Sequence, residues 1–195
     1  MALNNDVDLT ALMQDLREGR TTVEAVSQVV KAALREQPFK DLGFAKIDHH
    51  RSIRQGFPEA VLGLGKTPEQ IAAIASQIVA RNHPLLVTRA DAAAWAAVRE
   101  QLPTATYHEL GRCITLPRDM VRGTGTIVLC SAGTSDLPVA EEAAVTAELM
   151  GNTVDRIYDV GVAGIHRVLA QRARLDSARV VIVVAGMEGA LPSVV

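Results

Sequence analysis

The residues of this 195-residue sequence best suited to chemistry are small ones. Ser131, Ala132, Gly133, Thr134, Ser135 and Asp136 lie between an apolar run, Ile127 to Cys130, and a segment opened by Pro138. Small side chains leave backbone N–H groups uncovered, and a helix starting there turns its unpaired N–H groups and the positive end of its dipole toward an anion. The hydroxyls of Ser131, Thr134 and Ser135 add donors, and Asp136 or Ser135 is placed to cap the helix. The same composition also fits an ordinary strand-to-helix turn, so the run by itself leaves both readings open.

Two further segments set this loop in a fold. Val154 to Tyr158 and Val180 to Val184 are strand-like runs that recur at the spacing of βαβ units, which predicts parallel strands joined by helices and hence an α/β protein. Glycines follow each run, Gly161 and Gly164 after the second and Gly186 and Gly189 after the third. Three small-residue loops are therefore expected along the carboxyl edge of one parallel sheet, where open α/β sheets bind ligands. Asp159 closes the second strand at that edge, where a carboxylate could hold magnesium or ribose hydroxyls. Met187 and Glu188 fall between the last two glycines.

The pieces SAGTSDLPVAEEAA at 131–144 and AGMEGALPSVV at 185–195 resemble the two ligand-binding loops of the PurE carboxylase/mutase fold. With the upstream block FAKIDHHRSIRQGFPEAVLGLGKT at 44–67, their order and wording resemble the LarB family of nickel-pincer cofactor biosynthesis, from about Asp41 to Val195. The resemblance implies a PurE-like, flavodoxin-like parallel domain at 126–195, a small N-terminal α/β domain with a helical hairpin at 1–116, and a linker at 117–125. It also implies a reaction: carboxylation of the pyridinium ring of nicotinic acid adenine dinucleotide at C5 with hydrolysis of its phosphoanhydride. The products are pyridinium-3,5-biscarboxylic acid mononucleotide and AMP. The implied substrates are the dinucleotide and carbon dioxide, with magnesium (Mg2+) as cofactor and a homo-oligomer as assembly. Substrate contacts are expected from Ser131 to Asp136, Asp159, Gly186, Met187 and Gly189, with Glu188, at the start of a helix, as the base that removes the C5 proton. The family's catalytic cysteine is expected beyond Val195, since neither Cys113 nor Cys130 has the matching context; the PurE-like domain is accordingly expected to be incomplete, with Val180 to Val184 near an edge.

The upstream block has its own chemistry. Asp48, His49, His50, Arg51 and Arg54 crowd five polar side chains behind a short strand expected at Phe44 to Ile47. Asp-His-His suggests a metal-dependent phosphoesterase, but that chemistry needs further carboxylates, and no Asp-x-Asp precedes it. Arg51 and Arg54 are forks suited to a phosphate or carboxylate, against the alternative of a solvated turn with ion pairs to Asp48 and Glu59. Gly63-x-Gly65-Lys66-Thr67 falls short of a P-loop, because Ala60 stands where the first glycine belongs.

The elements that must position these groups are legible from pattern. Asp8 is expected to cap a helix carrying Leu9, Leu12, Met13 and Leu16 and ended by Gly19; Thr21 and Thr22 start a second with a stripe of Val23, Val26, Val29 and Val30. After a strand at Val61 to Leu64, Thr67 and Pro68 open a helix burying Ile71, Ile74, Ala75, Ile78 and Val79. A strand at Leu85 to Thr88, a helix over Ala90 to Gln101 and strands near Thr106 to His108 and Cys113 to Leu116 follow. Net charge of −2 gives no basic footprint for nucleic acid, and 3% aromatic content supplies no stacking platform. The sequence has neither a signal peptide nor a membrane-length apolar run, and two cysteines make no disulfide framework, so a cytoplasmic protein is expected. The competing functions are a PurE-type mutase on an aminoimidazole ribonucleotide, which has no need of the N-terminal domain, and a non-enzymatic sensor of pyridine dinucleotide or AMP.

Overall fold

The computed structural model describes residues 9–35, 39–118 and 120–195, with the side chains of residues 33–35, 53 and 54 outside the description. Asp8 and Pro38 lie outside the described residues. Helices α1 (Leu9–Arg17) and α2 (Val23–Arg35) form the expected hairpin. Gly19 turns the chain with φ +73, and Thr22 caps α2 by accepting the Ala25 N–H at 3.2 Å. Its apolar stripe is not core, however: Val26 is buried while Met13 and Val23 stay exposed.

A two-stranded antiparallel ribbon comes next, β1 (Phe39–Asp41) with β2 (Lys46–Asp48). The strand expected from Phe44 starts two residues later, because Gly43, at φ +81, and Phe44 make the turn that joins the ribbon. Helix α3 (Arg51–Gln55) follows and ends at Gly56 in the left-handed conformation.

A four-stranded sheet then runs in the order β3 (Val61–Leu62), β4 (Leu85–Thr88), β6 (Cys113–Leu116), β5 (Thr106–His108), with β3 and β4 parallel and the rest antiparallel. Helices α4 (Pro68–Ala80) and α5 (Ala92–Gln101) cover one face. Thr67 opens α4 with a full capping box: its hydroxyl accepts the Gln70 N–H while the Gln70 side chain accepts the Thr67 N–H. Leu85, Val87, Ile114 and Leu116 point into the core with Ile71, Ile74, Ile78 and Val98. The alternate residues Leu86, Cys113 and Thr115 are buried as well, as expected of a sheet covered on both sides. The second cover is α6 (Leu137–Leu149), which packs on β4 and β6.

Helix α6 also belongs to the second sheet, which is wholly parallel in the order β8 (Thr153–Ile157), β7 (Thr126–Ser131), β9 (Val180–Val184). Leu129 meets Ala140 and Ala144 of α6 on one face; Val128 and Cys130 meet Ile157, Val160 and Val168 on the other, beside α7 (Ile165–Leu169) and α8 (Arg172–Asp176). A helix buried from two sides cannot be strongly amphipathic, which explains the alanine-rich sequence of α6. The whole is mixed α/β, with β9 at a sheet edge and its first two valines exposed. Among the described residues no helix is long and apolar enough to cross a membrane.

Candidate functional site

With β7 in the centre of its sheet, the loops after all three parallel strands open at the same edge, and backbone bonds hold them together. Val160 N–H donates to the Ser131 carbonyl at 3.0 Å and Gly161 N–H to that of Ala132 at 2.8 Å, joining the second loop to the first. The third is joined by Ala132 N–H, which donates to the Val184 carbonyl at 3.0 Å, and by a side chain. Asp136 accepts the Gly133 N–H on Oδ2 and the Gly186 N–H on Oδ1, each at 2.9 Å, bridging residues fifty apart in sequence.

That bridge corrects the local reading of Asp136. It stands at the N-cap of α6 and makes no side-chain cap bond; both of its carboxylate oxygens are taken by the Gly133 and Gly186 amides instead. Two of the amides otherwise open to an anion are thereby engaged, and the edge carries a negative charge at its middle. Thr134, Ser135 and Asp136 form a short 3-10 turn, so α6 proper begins at Leu137. Ser131 is completely buried and its Oγ has no hydrogen-bond partner among the described residues. A buried orphan hydroxyl is costly, and with no exposed surface Ser131 is not open to a ligand at this edge.

Asp159 opens the second loop with φ +58, a left-handed backbone uncommon outside glycine and tolerated by aspartate better than by most residues. Its carboxylate meets Arg167 Nη1 at 2.8 Å, and Arg167 Nη2 donates to the Gly161 carbonyl at 3.3 Å. Gly164 makes room for this guanidinium, since a Cβ there would lie 2.7 Å from Arg167 Nε. Arg167 is not among the residues singled out from the sequence; the available signal was an arginine two residues into a helix that follows a glycine loop.

The third loop departs from expectation. Glu188 lies not at a helix start but in a turn closed by Gly189 N–H donating to the Gly186 carbonyl at 2.9 Å; only a three-residue 3-10 turn, Leu191–Ser193, follows. The loop spends its residues on left-handed backbone, Met187 at φ +45 and Gly189 at φ +62, and cannot wind at once into a helix. Glu188 is exposed, and Met187 is fully so.

The upstream block sits apart from these contacts. Asp48 N–H donates to Glu59 Oε2 at 2.7 Å and His50 N–H to Asp48 Oδ1 at 3.0 Å, a locally bonded turn. Arg51 is exposed on α3, and none of the bonds joining the three loops involves it; the side chain of Arg54 lies outside the described residues. Lys66 folds back on its own loop, donating from Nζ to the Leu62 carbonyl at 2.8 Å.

Behind the edge, Tyr158 and Arg156 both reach Glu141 of α6, and Arg156 also grips Glu148. Burial, then the hydrogen bond with Glu141, pushes the Tyr158 phenol up to about 12, so it stays protonated and ties α6 to β8. Both cysteines are wholly buried. Desolvation, with the Glu142 charge, pushes the Cys113 thiol up to about 12, and desolvation raises Cys130 as well, so neither is a ready thiolate. Nor does the donor set suit magnesium. Asp136 has each oxygen on a backbone amide, Asp159 is paired with Arg167, and among the described residues no group of three or more His, Cys, Asp or Glu could hold a metal. These residues do not fit a resident magnesium ion.

A parallel sheet whose three carboxyl-edge loops are cross-tied around one carboxylate is the architecture of a ligand-binding α/β protein. Comparison gives the family. A model of the LarB/PurE-like N-terminal domain matches residues 39–118. An uncharacterized protein of Methanocaldococcus jannaschii is 32% identical over 197 residues, covering 96% of this chain and 76% of the relative. The chain belongs to the LarB family, a carboxylase/mutase-type family.

Proposed function

We propose that this protein carboxylates the pyridinium ring of nicotinic acid adenine dinucleotide at C5 and hydrolyses its phosphoanhydride, giving pyridinium-3,5-biscarboxylic acid mononucleotide and AMP. The observation that carries this reading is the Asp136 bridge, which draws the loops after β7 and β9 to one place beside the loop after β8. A ribose phosphate fits there in parts: hydroxyls of the sugar suit the carboxylates of Asp136 and Asp159, while the phosphate suits Arg167 and the exposed hydroxyls of Thr134 and Ser135.

Pyridinium C5 is electron-poor and does not attack carbon dioxide unaided. Adding a thiolate to the ring makes an enamine whose C5 is nucleophilic; after the C–C bond forms, a base removes the C5 proton and the thiolate leaves, restoring the aromatic ring. Neither Cys113 nor Cys130 supplies that thiolate, for the reasons of burial given above. Glu188 is the base in this scheme, since it stands exposed on the turn between Gly186 and Gly189, beside the bridged amides.

The test is incubation of the full-length protein with the dinucleotide, labelled bicarbonate and magnesium. Label in a pyridinium product supports the reading. Binding without label would point to a sensor, and turnover of an aminoimidazole ribonucleotide to a mutase. Glu188→Gln is expected to keep dinucleotide binding and lose the carboxylated product by mass spectrometry; undiminished product would remove Glu188 from the chemistry.

A further inference from the structure

The parallel pair β3–β4 of the N-terminal sheet has a carboxyl edge of its own, and it is built at unusual conformational cost. Arg89, just past β4, has φ +52, and Arg112, just before β6, has φ +50. The two are neighbours in space, because Ala90 N–H donates to the Arg112 carbonyl at 2.8 Å. Left-handed backbone costs a side-chain-bearing residue about 1–2 kcal/mol, which glycine would avoid. Two adjacent positions where glycine is the easy choice both carry a guanidinium.

Nor are these arginines consumed by the fold. Both are exposed. Arg112 donates from Nε to the Ala90 carbonyl at 3.4 Å, leaving its terminal nitrogens without a partner among the described residues. Arg89 faces Glu142 at 3.6 Å, a half-exposed ion pair too long for a hydrogen bond. The backbone beside them is tight: Gly63 N–H donates to the Thr88 carbonyl at 2.8 Å, and a Cβ on Gly63 would lie 3.1 Å from the Arg89 carbonyl oxygen.

This edge also abuts the first one. Gly111 packs on the backbone of Glu141 and Glu142, where a Cβ would come within 3.0 Å, so the arginine pair sits over the second turn of α6. Asp136, at the start of the same helix, is about 9 Å away along the axis at 1.5 Å per residue. A molecule with two linked phosphates and a ring at each end can touch both places.

We infer that Arg89 and Arg112 hold the adenylate end of the dinucleotide through its phosphate, while the pyridinium ribose phosphate occupies the loops after β7, β8 and β9. The inference rests on the reading proposed above. It assigns the N-terminal sheet a share in substrate recognition and makes it the element that distinguishes a dinucleotide from a mononucleotide.

The test compares affinities for nicotinic acid adenine dinucleotide and nicotinic acid mononucleotide by calorimetry in the wild-type chain, in Arg89→Gly, in Arg112→Gly and in the double variant. Glycine keeps the left-handed turns, so thermal stability should be equal or higher. Affinity for the dinucleotide should fall about tenfold per arginine, as expected for loss of a charge-assisted phosphate contact, while that for the mononucleotide stays unchanged. A dinucleotide preference that survives both substitutions overturns the inference and leaves the reading of the first site standing. A wild-type chain that binds the mononucleotide but gains nothing from the adenylate half does the same. Failure to bind either nucleotide sinks the proposed function, and this inference with it.

Discussion

Met187 carries a fully exposed thioether side chain on left-handed backbone, an arrangement that stabilises nothing within the chain itself. Backbone outliers concentrate at ligand-binding places, and Asp159, at φ +58, is another at the same edge. Met187→Gly should relieve about 1–2 kcal/mol of local strain against about 0.5–1 kcal/mol of added unfolded-state freedom, a small net gain in denaturant melts. The same variant should bind the dinucleotide more weakly, because it removes an apolar surface from the loop. A loss of stability would mean that Met187 packs in a way its exposure contradicts. Arg167 makes the complementary point about residues: it reaches Asp159 and Gly161 across a glycine loop, a meeting that its position in the sequence does not announce.

At the scale of elements, the site depends on how closely two loops approach. Gly161 has nothing unusual about its φ; what it lacks is a Cβ, which would lie 2.8 Å from the Ala132 carbonyl oxygen. That neighbour is backbone and cannot rotate away. Gly161→Ala should therefore force the loops after β7 and β8 apart, costing about 1–3 kcal/mol in thermal or chemical unfolding and weakening nucleotide binding. Stability within a few tenths of a kcal/mol of wild type would show that the loops are slack and that the cross-tie is not what shapes the edge. Helix α6 sets the larger geometry. Its N-terminus serves one edge and its second turn meets the other, so displacement of α6 should register in both.

At the scale of the whole molecule, acid should loosen the N-terminal half. His49 is buried, its Nε2 has no hydrogen-bond partner among the described residues, and burial holds its pKa below the ordinary 6.5, reinforced by Arg81, His83 and Lys40 and opposed by Asp48. The native state thus resists a proton that the unfolded chain accepts. Stability contributed by neutral His49 is present above about pH 6.5 and is lost as pH falls from there toward the depressed native pKa. Unfolding free energy measured between pH 7.5 and 5.5 should decline, and His49→Leu should flatten the decline without loss at neutral pH. An unchanged slope in that variant would assign the acid sensitivity to another group.

Much of this protein was legible in its sequence. Thr67 and Pro68 begin α4 because capping acts over three residues, and β4, β6 and β9 fall where apolar runs end at turn residues. Convergence of three glycine-bearing loops at one sheet edge also follows from parallel strands alone. What the sequence could not decide was which group meets which at that edge. Asp136 reads as a helix cap and is a bridge to Gly186; Glu188 reads as the start of a helix and stands in a turn; Arg89 and Arg112, 23 residues apart and marked by no motif, share a left-handed corner over α6. Caps, turns and apolar stripes are settled by neighbours a few residues apart, whereas a side chain with two competing partners chooses by distance in space, and only the packed sheets and the shared helix fix that distance.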